Sequence, residues 1–512
     1  MNIHIVWFKR DLRLHDHAPL SSACQAGRVI PLYIVEPELW QQPDSSFRHW
    51  QFIYDSLVDL KKDLQQQNAD LVVRRGDVLS VLTSIHAQVG NFTLWSHEET
   101  GNLWSFKRDI DVAHWCKQHS IIWHELGANA VKRRLKTRDT WSKLRNEIMQ
   151  AELVPAPQYI NFFPIQSDEL PKKILAVPVK TLHGQPIFIQ AGARQAGLKT
   201  LHSFLNHRAE QYMQNISKPS GSVNHCSRLS THIAYGTLSV REIKQTTQRH
   251  IDQFKQHNSG ESFNKVRNLT AFLSRLAWRC HFVQKLEQQP GIETACIHPA
   301  FEALRADSFR EDFFEAWKTG NTGYPLIDAC MRALHQNGWI TFRMRAMLVS
   351  FASYHLWLDW RSTAPFLAQL FTDYEPGIHY SQFQMQSGTT GMNALRIYNP
   401  IKQSYDHDAN GFFIRKYVPE LKHFDASQIH EPWLHTSDLK YPQPIIDLDA
   451  QTKAAKLAIA NIWKTDDFKE TAQAIKQKLA SRMRQSRRKT TSKSNLTKPK
   501  TNSNDAQFDL FS

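Results

Sequence analysis

The sequence predicts an α/β domain followed by an all-α domain, and three observations predict it. Short apolar runs alternate with helical segments over residues 3–125. From about residue 196 to 480 the periodicity is helical almost throughout. Between the two lies a stretch rich in proline, lysine and polar residues. At 512 residues the chain is also too long for one hydrophobic core, so two domains and a tail are expected.

The first domain, residues 1–130, rests on five runs of strand character: Ile3–Phe8, Val29–Val35, Leu71–Val73, Phe92–Trp95 and Ile121–Trp123. Segments with helical spacing, such as Phe52, Ile53, Leu57, Leu60 and Leu64, separate them. Five strands with crossover helices read as a Rossmann-like, five-stranded open parallel sheet. No GxGxxG follows the first strand, so a conventional dinucleotide site is not expected there. Residues 131–195 carry Pro155, Pro157, Pro164, Pro171 and Pro178 and read as a connector. Residues 196–480 form the helical domain, with loops expected at Pro290–Gly291, Gly320–Gly323 and Glu375–Gly391. Residues 481–512 read as a disordered tail. From Arg482 to Lys500 it has eight basic residues and no acidic one.

A hydrophobic share of 41% with 11% aromatic residues fits a globular protein. The formal net charge of +15 favours a polyanionic partner, nucleic acid before membrane. Cys24, Cys116, Cys226, Cys280, Cys296 and Cys330 form no CxxC pair. That spacing argues against zinc or an iron–sulfur cluster and for reduced core thiols in a cytoplasmic protein. The N-terminus enters an apolar strand with no basic-then-apolar leader, and no run of about 18 apolar residues implies a membrane span.

The chemistry-bearing stretches are spread along the chain. Trp7-Phe8-Lys9-Arg10-Asp11-Leu12-Arg13 opens it. Ser227-Arg228-Leu229-Ser230 leads to Ala234-Tyr235-Gly236. Then come Trp278-Arg279, Gly320-Asn321-Thr322-Gly323-Tyr324-Pro325 with Asp328, Gly338-Trp339, Arg343, Arg345, Asp359-Trp360-Arg361 and Arg396-Ile397-Tyr398-Asn399-Pro400. Ser227 and Ser230 can hydrogen-bond phosphate oxygens, and Ser227 can cap a helix running from Leu229 to Tyr235. Alone, that motif would be an ordinary cap; in this company a phosphate role is expected. In order and spacing these motifs resemble the photolyase/cryptochrome family over roughly residues 1–435.

The resemblance implies an N-terminal antenna domain and a C-terminal helical domain holding FAD. Tyr212, Cys226, Ser227, Arg228, Leu229, Ser230, Arg279, Arg345, Asp373 and Glu375 match its cofactor-binding positions. Arg345 and Asp373 match an ion pair beside the flavin ring, and His379 the residue that faces flavin N5. A histidine there could donate a proton. Trp360 matches the middle of three electron-transfer tryptophans, but the flavin-proximal one is Phe383 and none lies between Ile297 and Ala316. Trp357, Tyr354 and Tyr380 read as core aromatics, with another electron-transfer route as the alternative. Ser96–Gly101, after a strand end, match the antenna contacts, which implies a second chromophore of folate, deazaflavin or flavin type.

The family's lesion pocket is rebuilt here. Trp278 and Arg279 remain, whereas Arg275, Phe342 and Met385 replace a Glu, an Asn and a Trp that contact the lesion. Trp278, Trp360 and His379 are therefore the candidate catalytic residues, and Arg275, Trp278, Arg279, Phe342 and Met385 the candidate DNA-lesion contacts. The last segment, Gln507-Phe508-Asp509-Leu510-Phe511, resembles the short peptide by which bacterial repair proteins dock on the sliding clamp, with Gln507, Leu510 and Phe511 as contacts. Three functions follow as expectations: a light-driven enzyme splitting pyrimidine photoproducts in DNA, a blue-light receptor without repair, and a light-independent flavin redox protein.

Overall fold

The structure is a computed structural model that describes residues 2–128, 130–178, 184, 186–256, 260–436 and 440–481. The basic tail and the clamp-like Gln507, Leu510 and Phe511 lie outside the described residues.

Five strands, β1 (Ile3–Phe8), β2 (Arg28–Val35), β3 (Val72–Arg75), β4 (Thr93–His97) and β5 (Ile122–Leu126), each begin within one residue of an apolar run of the sequence. They pair in parallel in the order β3-β2-β1-β4-β5. The order reverses at β1, which places a crevice beyond the C-terminal ends of β1 and β4. Helices Ala18–Ala26, Phe47–Gln66, Val78–Val89 and Leu103–Gln118 make the crossovers. In Phe47–Gln66 the residues Phe52, Ile53, Leu57, Leu60 and Leu64 form the buried stripe that the spacing predicts.

The connector is more ordered than its prolines predict. Trp141–Gln150 is a helix that buries Trp141, Arg145 and Met149 at four-residue spacing. Further on the chain runs along the sheet: Val29 N donates to Asn161 O (2.8 Å) and Phe163 N to Val29 O (2.9 Å).

The loop expected at Glu375–Gly391 is also corrected, because Pro376–Gln386 is a helix. Its proline sits at the first turn, where no intrahelical N–H is needed. Gly377 is there for contact: a Cβ would stand 2.6 Å from Val283 Cα of the long helix Gly260–Gln288. At Gly320–Gly323 the turn is present. The Asp328 carboxylate accepts from Thr322 N (2.9 Å), Thr322 Oγ1 (2.7 Å), Gly323 N (3.1 Å) and the Tyr441 hydroxyl, so this motif is a structural clamp.

The opening motif fastens the two halves together. Arg10 donates to Ala234 O (2.9 Å) and Tyr374 O (2.8 Å), Leu12 N to Tyr235 O (3.2 Å), and Arg13 to Gly236 O (2.9 Å). Gly236 has φ 67° and a Cβ there would lie 2.3 Å from Arg10 O, so only glycine permits this approach. All six cysteines are unpaired, and among the described residues no helix is long and apolar enough to cross a membrane.

Candidate functional site

A cavity of about 350 Å³ opens inside the helical half. Helix Gly260–Gln288 supplies Phe272, Arg275, Leu276, Arg279 and Phe282 on one face, with Trp278 beside them. The opposite walls come from residues 226–233, helix Phe342–Ser350 and helix Pro376–Gln386. Arg228, Arg275, Arg279, Arg343 and Arg345 line it, against two carboxylates, Asp373 and Glu375.

Each carboxylate is taken by one arginine. Arg345 Nη2 lies 3.0 Å from Asp373 Oδ2, and Arg279 Nη2 2.7 Å from Glu375 Oε2. Burial pushes the Asp373 carboxyl up, but Arg345, a Ser230 hydrogen bond and Arg228 together outweigh it and hold it below its usual value. The cavity therefore keeps a positive excess. Arg228 stacks over the Trp339 ring at 4.0 Å, and burial brings its guanidinium down to about 10. Tyr212 is buried and hydrogen-bonds Arg275. Burial raises the Cys226 thiol to about 12, so it stays protonated.

Four buried polar atoms on these walls have no hydrogen-bond partner: Asp373 Oδ1, Arg279 Nη1, Gln382 Nε2 and Gln386 Oε1. A buried orphan costs on the order of 1–3 kcal/mol, so a set of them marks a place built around a polar ligand.

His379 lines the cavity and donates from Nε2 to Ala364 O (2.9 Å). Burial, first among its causes, lowers it to about 3. It is thus neutral near pH 7 with Nδ1 bare, which makes it an acceptor in the resting site and not the ready acid that its residue type suggests. Phe383 packs on His379 at 4.6 Å and shares the wall. Trp360 is buried in the same apolar core cluster as Phe383. On the segment that lacks an aromatic donor, Arg305 stacks between Tyr354 (5.6 Å) and Trp357 (4.7 Å).

Other expected site residues fall as follows. Tyr212, Cys226, Ser227, Arg228, Ser230, Arg275, Trp278, Arg279, Phe342, Arg345, Asp373 and Glu375 all line the cavity. Leu229 does not: it is fully buried in a neighbouring apolar cluster. The helix begins at Ser230, with Leu229 as its cap residue and no side-chain capping bond, so Ser227 does not cap it. Ser227 Oγ instead accepts from Leu229 N (3.5 Å), because Arg228 adopts a left-handed backbone (φ 58°) between them. Met385 is half-buried outside the lining; it lies about 100° round the helix from Gln386. Gln382 and Gln386 were missed, although their spacing to His379 and Phe383 is that of one helical face.

At the strand ends a smaller cavity, about 80 Å³, is bounded by Trp7, Tyr33, Glu36, Glu99, Gly101 and Arg108. Arg108 is held there by Glu36 (2.8 Å), Glu99 (2.7 Å) and Asp109 (2.8 Å). Burial raises Glu36 to about 7 against the pull of Arg108. This space lies at the strand ends where the second chromophore is expected.

Family models match both halves: DNA photolyase over residues 4–137, and the FAD binding domain of DNA photolyase over residues 272–461. Together they span more than half of the chain. The chain belongs to the photolyase/cryptochrome family. Among its relatives, a deoxyribodipyrimidine photo-lyase of Streptomyces griseus is 29% identical, over 88% of this chain and 97% of that protein. A cryptochrome DASH of Gloeobacter violaceus is 25% identical, over 89% and 95%. A solved archaeal photolyase from Sulfolobus tokodaii, described with two FAD molecules, superposes with a TM-score of 0.73 at 27% identity, over 90% of this chain and 100% of that one. The helical half of this photolyase/cryptochrome chain is thus a FAD-binding domain. The residues present fit the group, since the positive excess suits a pyrophosphate and the orphaned Asp373 Oδ1 and Arg279 Nη1 suit polar ring edges. The relatives include both photo-lyases and cryptochromes DASH.

Proposed function

We propose that the protein is a light-driven DNA photolyase acting on pyrimidine photoproducts. The observation that carries this is where the flavin cavity meets solvent. Phe342 lines the cavity and is 37% exposed, and the wall beside it presents Trp278, Arg275 and Arg343. An aromatic platform with cations around it suits a base turned out of a DNA strand. Gln382 Nε2 and Gln386 Oε1 offer a donor and an acceptor without partners, which complement a pyrimidine imide where the family's glutamate is replaced by Arg275. Bound reduced flavin supplies the light-excited electron. The chain supplies the rest: Trp278 stacks the base, the paired Arg345 and Asp373 fix a charge beside the ring site, and neutral His379 presents Nδ1 as an acceptor. A cryptochrome-type receptor that signals by flavin redox change is the second reading, favoured by the altered lesion contacts at Arg275, Phe342 and Met385.

Equilibrium competition between UV-irradiated and intact oligonucleotides tests the assignment. The protein should prefer the damaged strand, and Trp278→Ala should remove about 1–3 kcal/mol of that preference, the worth of one stacked base. Equal affinity for both strands would favour the receptor. Trp360→Phe should slow photoreduction of the bound flavin, measured as the rate of bleaching under blue light; an unchanged rate would mean that electrons enter by another path.

A further inference from the structure

A second pocket, of about 230 Å³, shares the Trp278 wall with the flavin cavity. Arg138, Trp141, Arg145, His281 and Ser481 line it with Trp278, and neither Asp nor Glu does. Arg145 and Trp141 are 91% and 93% buried by their exposures of 9% and 7%, yet Arg145 Nε and Trp141 Nε1 have no hydrogen-bond partner. Two buried N–H donors without acceptors call for an anion or another acceptor.

The surrounding charge points the same way. Arg138 Nη1 donates to His281 Nδ1 (2.7 Å). Burial, then the nearby Arg138, brings Lys285 down to about 7. His281 is held well below its usual value by burial, Lys285 and Arg138. Lys244 is lowered by burial and by Arg145. Positive charge is crowded here, and no carboxylate lines the pocket.

We propose that this pocket is a phosphate subsite for a DNA strand, seating a backbone phosphate next to the nucleotide whose base stacks on Trp278. Arg145 and the Trp141 indole N–H bind the phosphate oxygens, and Arg138 adds charge. The inference rests on the DNA-binding part of the proposed function and does not require that repair occurs. It gives the helix Trp141–Gln150, in the connector, a part in holding the strand.

The test is anisotropy titration of a UV-irradiated single-stranded oligonucleotide with the full chain over a range of salt. Arg145→Gln should weaken binding about 10-fold near physiological salt and flatten the slope of log K against log salt by about 0.7, the share of one phosphate contact. Arg145→Lys should restore the slope, and bound FAD should be retained in all three proteins. If the Gln variant is poorly folded, the Lys variant decides: a wild-type slope supports the subsite and a flattened slope overturns it. Wild-type affinity and slope in Arg145→Gln would overturn it. So would thymidine monophosphate or inorganic phosphate quenching tryptophan fluorescence in an Arg145-dependent way while DNA affinity ignores the substitution, which would make this a free-phosphate site. A flattened slope in a protein that shows no light-dependent repair would uphold the subsite and reject the repair reading.

Discussion

Replacing Arg345 by methionine will destabilise the helical half by about 3–5 kcal/mol and strip it of FAD, because it leaves a buried carboxylate without its counter-charge. Asp373 is 8% exposed, and its bond to Arg345 Nη2 is 3.0 Å long. Burial is the largest influence on Asp373 and acts upward; Arg345 is the largest one opposing it. Without Arg345 the carboxyl must either stay charged in a poorly solvated place or take up a proton. Either way the fixed pair beside the ring site is gone. The reverse substitution, Asp373→Asn, should cost less. Arg345 keeps a bond to Ile340 O (3.0 Å) and its place over the Phe371 ring (4.1 Å). Denaturant melts and the flavin released on heating check both variants. Equal losses from the two would contradict the asymmetry.

The second large effect is acid sensitivity. His49, His97, His232 and His355 are buried and lowered to about 4, and His379 to about 3, in each case first by burial. Their usual value is about 6.5. The folded state therefore binds fewer protons than the unfolded state between roughly pH 6.5 and 4. The stability from keeping these rings neutral is complete above pH 6.5 and is lost as pH falls through that window. Each ring accounts for about 1.4 kcal/mol per pH unit. Glu36 and Glu293, raised to about 7 by burial, titrate in the opposite sense and offset part of it. The net loss should be on the order of 2–4 kcal/mol per unit, against a total of about 5–15 kcal/mol for an ordinary domain. The urea midpoint should thus fall steadily from pH 6.5 to 4.5. His379→Asn should reduce that slope by the share of one ring; a midpoint independent of pH would contradict the burial argument.

The strands and the cation-rich wall were legible in the sequence for a simple reason. A buried parallel strand needs an unbroken apolar run, and a charge inside a helical domain needs a function or a partner. Arg345, Asp373 and Tyr212 were named from their match to the family's motifs. What stayed hidden depended on local backbone geometry. Pro376 and Gly377 read as loop residues, but one starts a helix and the other lets it approach Val283, and with the helix unseen Gln382 and Gln386 had no face to share. Leu229 looked like part of a phosphate loop until the left-handed turn at Arg228 sent it into the core. Arg145 lay in a stretch dismissed for its prolines, although Trp141, Arg145 and Met149 at four-residue spacing were the trace of a helix. The protonation of His379 could not be read from residue type, because burial and not identity sets it.

If the protein is the photolyase proposed, it should split a pyrimidine photoproduct under blue light once its flavin is reduced. The direct measurement is to illuminate the photoreduced protein with UV-damaged single- and double-stranded DNA and count cyclobutane dimers and (6-4) products against a dark control. One of the two lesions should disappear in the light and persist in the dark. If both persist in both forms of DNA while the protein still binds them, the protein is not a photolyase and the receptor reading replaces it.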